Sequence, residues 1–318
     1  MKKITKAIIG TAAGVTVASL ALGEFMYHAV LNMDIQMWAA KKGILRNPEE
    51  EKFWAECEIY QDSLKWYDEV KPETLTIYSR LGRDMRADFI PADAPSDKWA
   101  IVIHGYTAGT SFMAHYAWKY HTLGFNVILP HMVGHDSDSV KYCSMGYYDK
   151  LVIVDWINYI ANLNPDSQIL MHGVSMGSAT TMLVTGEDIP DNVVCAVADC
   201  GYTTCWDEYV YQAKSMFRIP AFPIVTYANV VSKRQKNFDF KKCAPIEAVK
   251  KSKTPTIFLH GDKDDFVPYH MMKPLYEACT AADKKMVTIP GSFHANAAFA
   301  DNELYWSNVE KFMSKHFR

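Results

Sequence analysis

From about residue 72 the chain alternates two apolar patterns. Short runs of aliphatic and β-branched residues recur in TLTIYS, MRADFIPA, KWAIVIHG, GFNVILP, SQILMHG, VVCAVADC, TPTIFLHG and KKMVTIP. The later runs are nearly continuous, as strands buried on both faces should be. Between them lie stretches with apolar residues at helical spacing: TSFMAHYAWKYHTL, DKLVIVDWINYIANL, SMGSATTMLVTG, PYHMMKPLYEAC and NELYWSNVEKFMSKHF. Strands alternating with helices predict an α/β domain over residues 72–318, with a mostly parallel central sheet and helices on both faces. One connection is too long for a simple crossover, because about 54 residues separate Cys200 from Pro255. The excess predicts an insertion after the sixth strand, about 203–250, built of two or more helices broken at RIPAFP and placed as a cap over the strand ends.

Upstream the pattern is helical. Residues 28–71 are expected to be a helical connector that packs on the body. NPEEEKFWAECEIYQDSLKWYDEV opens with Asn47 as N-cap and Pro48 at the first helical position, followed by acids in the first turn. Residues 1–27 form a separate unit. Lys2, Lys3 and Lys6 precede the uncharged stretch from Ala7 to Gly23. That stretch fits a short membrane span or a signal segment, with Ser19-Leu20-Ala21 as a poor cleavage site. The anchor reading makes the bilayer a partner and puts the protein in the cell membrane by a single pass. The leading lysines keep the N-terminus inside, so the α/β domain is expected to be extracytoplasmic, or secreted if the segment is cleaved.

Composition narrows the classes. The chain of 318 residues is 49% hydrophobic and 22% charged, with a formal net charge of −3. No basic block calls for nucleic acid. The seven cysteines are scattered, odd in number and without CxxC spacing, so no zinc site is expected. They read as free, mostly buried thiols, with a Cys200–Cys205 pair left open.

The chemistry centres on GVSMG, between the strand SQILMHG and a helix. A G-x-S-x-G in that setting is a nucleophile elbow: a strained turn lifts Ser175 Oγ above the sheet, and the N–H of Met176 faces a developing oxyanion. A serine hydroxyl needs a base, and the base needs an orienting acid. Both should follow in the order acid, then histidine, at strand ends. After TPTIFLHG comes DKDDFVP, with Asp262, Asp264 and Asp265 as candidates. After KKMVTIP comes GSFHANA, with His294. Asp199, at the end of VVCAVADC, is an alternative acid.

From about residue 72 to the C-terminus the chain resembles the α/β-hydrolases, in particular their bacterial esterase and serine-aminopeptidase-like branch, and is similar to the membrane-anchored hydrolases of Gram-positive bacteria. HGDKDDFVP matches that family's H-G-x-x-D-x-x-V-P and so selects Asp264, leaving Asp262 and Asp265 as turn formers. HGYTAG matches its H-G-x turn and makes the Tyr106 N–H the second oxyanion donor; the Tyr106 hydroxyl could join it or serve packing. One motif departs. Where the family often has D-x-R-G-H-G-x-S this chain has HMVGHDSDS, with His131, Val133 and Asp136 replacing Asp, Arg and Gly. The resemblance implies a serine hydrolase that cleaves carboxylic esters of small acyl substrates through an acyl-enzyme, without metal or organic cofactor. Peptidase, amidase or acyl transfer on the same triad is the alternative, and a non-catalytic binding protein on this fold is another. His104 and His260 read as structural, and the cap aromatics (Trp206, Tyr209, Tyr211, Phe217, Phe222 and Tyr227) as a lid with its own core.

Overall fold

The computed structural model describes residues 20–41, 48–135 and 140–318. The expected anchor falls largely on residues 1–19, outside the described residues, as do Asn47 and the Asp136 and Ser139 positions of the divergent loop. No helix among the described residues is long and apolar enough to cross a membrane. The part of the 1–27 unit that is described is helical and continues to residue 31, as α1 (20–31), followed by α2 (Met33–Lys41). It packs on the body: Met33 N–H donates to Lys141 O at 3.0 Å and Cys143 N–H to Leu31 O at 2.8 Å. The helix expected from residue 48 onward is two, α3 (Pro48–Glu56) and α4 (Glu58–Val70). Cys57 between them is extended at φ −72°, ψ 98°. The break lets Phe53 and Trp54 of α3 contact the ring of Phe293, edge on.

All eight expected strands form: β1 (Glu73–Ser79), β2 (Arg83–Ile90), β3 (Lys98–Ile103), β4 (Asn126–Pro130), β5 (Gln168–Val174), β6 (Val193–Asp199), β7 (Thr256–Gly261) and β8 (Lys284–Ile289). They make one sheet in the order β1-β2-β4-β3-β5-β6-β7-β8. β2 is antiparallel to both β1 and β4, and every pairing from β4 to β8 is parallel. The central parallel strands, β3 to β7, are largely apolar because both faces are covered. Along β3, Ile101 and Ile103 enter one core with Trp156 and Ile157 of α6 (Asp149–Leu163). Ala100 and Val102 enter the other, with Tyr116 and Tyr120 of α5 (Ala114–Thr122) and Trp306 and Phe312 of α13 (Asn302–Met313). The side-chain alternation of a strand thus divides one apolar run between two cores.

The chain runs outward from β3 to β4 and then returns to β5 on the other side of β3. That reversal opens a crevice beyond the carboxyl ends of β3 and β5, where sites in such sheets form. The remaining helices are α7 (Met176–Thr185), α8 (Cys205–Ser215), α9 (Ala221–Lys236), α10 (Pro245–Val249), α11 (Met272–Ala278) and α12 (Ala297–Ala300). α8 and α9 form the expected cap between β6 and β7, with the break near Arg218–Pro220.

Candidate active site

Ser175 is the residue between β5 and α7, at φ 57°, ψ −118°. A side chain at positive φ is strained, and the surrounding contacts must enforce it. Ser175 N–H donates to Asp199 O at 2.9 Å, which ties the turn to β6. The flanking glycines make the turn sterically possible. A Cβ on Gly173 would stand 2.1 Å from Gly177 O, and one on Gly177 would stand 2.0 Å from Ile103 O. Strand, turn and helix therefore approach more closely than any other residue allows.

His294 and Asp264 meet at this turn from the ends of β8 and β7. His294 Nε2 lies 2.9 Å from Ser175 Oγ, and His294 Nδ1 lies 2.8 Å from Asp264 Oδ2. With Nδ1–H given to the carboxylate, Nε2 presents its lone pair to the serine hydroxyl. The Phe266 ring packs on the imidazole with centroids 4.9 Å apart. Asp264 is fixed from its other side, since Phe266 and Val267 N–H donate to Oδ1 at 3.0 and 2.9 Å. His260 Nε2–H reaches Asp264 Oδ2 at 3.1 Å and Val267 O at 2.9 Å. Burial pushes the Asp264 carboxyl up, but the His294 charge and the bonds from His260 and His294 outweigh it and hold it at about 2. For His294, burial favours the neutral ring; the Asp264 charge and hydrogen bond, joined by Glu208 and Asp199, raise it above its ordinary value.

The other candidate acids are placed elsewhere. Asp262 Oδ1 accepts from Gly291 N–H at 2.7 Å and laces the acid loop to the histidine loop. Asp265 is exposed and offers its backbone carbonyl to Tyr211 OH at 3.0 Å. Asp199 is buried and accepts from Tyr305 OH at 2.9 Å. Tyr305 OH in turn contacts His172.

Two residues that line the cavity with Ser175 carry the expected oxyanion amides, Met176 and Tyr106. Met176 opens α7, where the first N–H groups have no partner within the helix. Tyr106 follows Gly105, whose own Cβ position would lie 3.2 Å from Ser175 Cβ. Neither N–H has a protein acceptor among the described residues. The divergent loop braces this turn, because His135 Nε2 accepts from Thr107 N–H at 3.1 Å. The Tyr106 hydroxyl is committed elsewhere: it donates to Val30 O of α1. Among the described residues, Cys200, Asp264 and His294 bring a ligating atom each within 4.8 Å of one another. Both His294 nitrogens already have partners, and burial drives the Cys200 thiol well above its ordinary value. The trio suits proton handling better than ion binding.

A family model described as the alpha/beta hydrolase fold matches residues 99–223, a span that contains the elbow and the first half of the cap. The chain has the α/β-hydrolase fold. An uncharacterized protein of Bacillus subtilis, YqkD, is 25% identical over 320 residues, covering 98% of this chain and 97% of its own. The Arabidopsis thaliana alpha/beta hydrolase domain-containing protein WAV2 is 26% identical over 155 residues, 47% of this chain and 48% of its own. In structure, the chain is similar to the Pyrococcus furiosus esterase Pf2001, with a TM-score of 0.63, 20% identity, and 79% and 95% of the two chains covered. It is also similar to the Pyrococcus horikoshii acylaminoacyl peptidase, with a TM-score of 0.59, 14% identity, and 79% and 43% covered. At these identities the likeness is one of fold.

The site opens into a cavity of about 640 Å³ lined by Ser175, His294, Tyr106 and Met176. The cap closes one side, with Glu208, Tyr209 and Gln212 of α8 and Ile224 and Val225 of α9. The connector is more than packing, because Tyr27, Val30 and Leu31 of α1 and Trp54 of α3 also line the cavity. Sequence reasoning missed three contributors. His260 was read only as a structural strand end, yet it bonds Asp264. Gln212 Nε2–H donates to Phe266 O at 2.6 Å and to Glu208 Oε1 at 2.8 Å, joining the cap to the acid loop. Glu208 is a buried acid facing this cavity, and burial raises its carboxyl to about 8. The H-G pair was the one available signal for His260, and no spacing rule pointed to the other two.

Proposed function

We propose that this α/β-hydrolase is a serine hydrolase that cleaves carboxylic esters. The observation that carries the reading is the unbroken line of hydrogen bonds from Asp264 through His294 to Ser175 Oγ, at 2.8 and 2.9 Å. In this reading Ser175 Oγ attacks the ester carbonyl carbon while His294 Nε2 takes its proton. Asp264 holds Nδ1–H and stabilises the imidazolium that forms. The tetrahedral oxyanion receives the N–H groups of Tyr106 and Met176. Collapse breaks the bond to the leaving alkoxide, which takes the proton from His294. Water then attacks the acyl-enzyme, gives its proton to His294, and releases the acid and the serine.

Support for an ester is the cavity's largely apolar lining beside the serine and the fold shared with a named esterase. The test is labelling with a fluorophosphonate probe and hydrolysis of a p-nitrophenyl ester by wild type and Ser175→Ala. Wild type should be labelled and active. The variant should lose labelling and about 10³-fold or more in rate, as when a triad member is removed. Ester turnover that survives in a folded Ser175→Ala would refute the reading.

A further inference from the structure

We propose that the acyl group taken by this site is an extended, uncharged hydrocarbon chain, and that α1, upstream of the hydrolase domain, forms one wall of its channel with α9 of the cap. The inference rests on the reading of Ser175 as an acylated nucleophile and names its substrate class.

The cavity that begins at Ser175 reaches Met26, Val30 and Leu31 on α1 and Ile224, Val225 and Ala228 on α9. These are apolar side chains at helical spacing on two helices far apart in the chain. The helices touch closely: a Cβ on Gly23 would stand 2.5 Å from Tyr227 Cβ and 3.1 Å from Ala228 N. Glycine at position 23 is what allows that approach. Gln235 Nε2–H adds a bond to Glu24 Oε1 at 2.8 Å.

The wall is registered to the reacting centre. Val30 O accepts from the hydroxyl of Tyr106, whose own N–H is the oxyanion donor. Leu31 O accepts from Cys143 N–H at 2.8 Å, and Cys143 Sγ lies 3.3 Å from Met176 Sδ, on the residue that supplies the other donor. Helix α1 is thus tied directly to Tyr106, and through Cys143 to Met176, the two residues that would grip the substrate carbonyl. A chain leaving that carbonyl along the cavity meets α1.

Charge sets the rest of the class. No lysine or arginine is among the described residues that line the cavity. Its acids are Glu50 and Glu51, half-buried and exposed at the start of α3, and the buried Glu208. Glu208 Oε2 has no partner among the described residues, and a buried carboxyl in that state keeps its proton. The inner wall is therefore neutral. A carboxylate on the acyl chain would meet acids and find no cation. An ammonium on it would exchange water for an apolar lining and a protonated acid.

The experiment measures kcat/KM for p-nitrophenyl esters from acetyl to hexadecanoyl, with succinyl and 6-aminohexanoyl esters as charged comparisons. Expected is a rise of up to about fourfold per added methylene until the channel is filled, the worth of burying one CH₂. The hexanoyl ester should exceed both charged esters. Met26→Trp on α1 and Ile224→Phe on α9 should each lower the ratio of long-chain to acetyl turnover by about tenfold or more, roughly two excluded methylenes. Because a ratio is read, partial loss of folded enzyme cancels. A flat chain-length profile, preference for either charged ester, or unchanged ratios in both variants would overturn the proposal. Acetyl ester turnover that depends on Ser175 would leave the hydrolase reading standing in each of those cases.

Discussion

Asp264 and Glu208 are buried acids on the same cavity, and their surroundings send them in opposite directions. Asp264 accepts two backbone N–H groups and two imidazole N–H groups, and stays ionised at about 2. Glu208 accepts one bond, from Gln212, and burial raises it to about 8. For Asp264 the consequence is kinetic. The base must be neutral to accept the serine proton, so kcat/KM rises with pH through the His294 value, which the Asp264 charge raises. Asp264→Asn removes that charge. Its pH–rate profile between about pH 4 and 8 should show the acid limb moved to lower pH, with kcat reduced on the order of 10⁴-fold because the imidazole loses its orienting partner. For Glu208 the consequence is stability. Below the ordinary carboxyl value of about 4.3 both folded and unfolded chains hold the proton, and nothing is lost. Between that value and about 8 the unfolded chain releases a proton that the folded chain keeps, so folding weakens as pH rises. Glu208→Gln keeps an oxygen for Gln212 and removes this penalty. Thermal melts should show the variant more stable at pH 8 by on the order of a few kcal/mol, with the gain gone near pH 4.

Helices and strands turn these side chains into a site by how closely they pack. The elbow depends on two glycines whose missing Cβ atoms leave room for backbone, so Gly177→Ala should force β3 and α7 apart. It is expected to lower stability by about 1–3 kcal/mol, or more, in a denaturant titration, with ester turnover falling as well. The cap acts on the triad through α8. Gln212 holds the Phe266 carbonyl and Tyr211 the Asp265 carbonyl, and the Phe266 ring rests on His294. Gln212→Ala should let the acid loop shift and cost about tenfold or more in kcat, because small misplacements of reacting groups are expensive. Steady-state kinetics run beside a melting curve separates that effect from unfolding. What was legible in the sequence follows the same division. The central strands could be read because burial on two faces leaves a continuous apolar run, as at Ala100–Ile103. Ser175, Asp264 and His294 could be read because each ends a strand inside a recognisable motif. The Cys57 break carries no glycine or proline, so the helical pattern ran through it. The contacts of Val30 with Tyr106 and of Gln212 with Phe266 join residues 76 and 54 positions apart. No period in the sequence encodes a pairing at such distances; only the folded topology does.

At the scale of the whole molecule, the buried titratable groups set the pH at which the fold is most stable. Burial is the leading cause that lowers His104 and His172 to about 3 and His115 and His135 to about 4, so all four are neutral when folded at neutral pH. In the unfolded chain each takes a proton near 6.5. As pH falls below that value the unfolded state gains protons that the folded state refuses, and stability drops with each imidazole. The buried acids act in the other sense. Asp199, raised to about 6, and Glu208, raised to about 8, keep protons that the unfolded chain gives up as pH rises. Between about pH 4 and 6 the four imidazoles outnumber these two acids and Asp149, which burial also raises, so stability should climb with pH. Above about pH 6.5 the unfolded imidazoles are also neutral, and Glu208 still pulls downward. His294, raised in the folded state, adds to that decline, since its contribution is present below 6.5 and lost as pH passes its raised value. The melting temperature is therefore expected to peak near pH 6.5–7, to fall steeply toward pH 4, and to fall gently toward pH 8. His172→Gln, placed between Tyr120 and Tyr305, should flatten the acid side if its hydrogen bonds are kept, whereas Glu208→Gln should flatten only the alkaline side. A melting profile highest at pH 4–5 would mean that the acids, not the imidazoles, govern the balance.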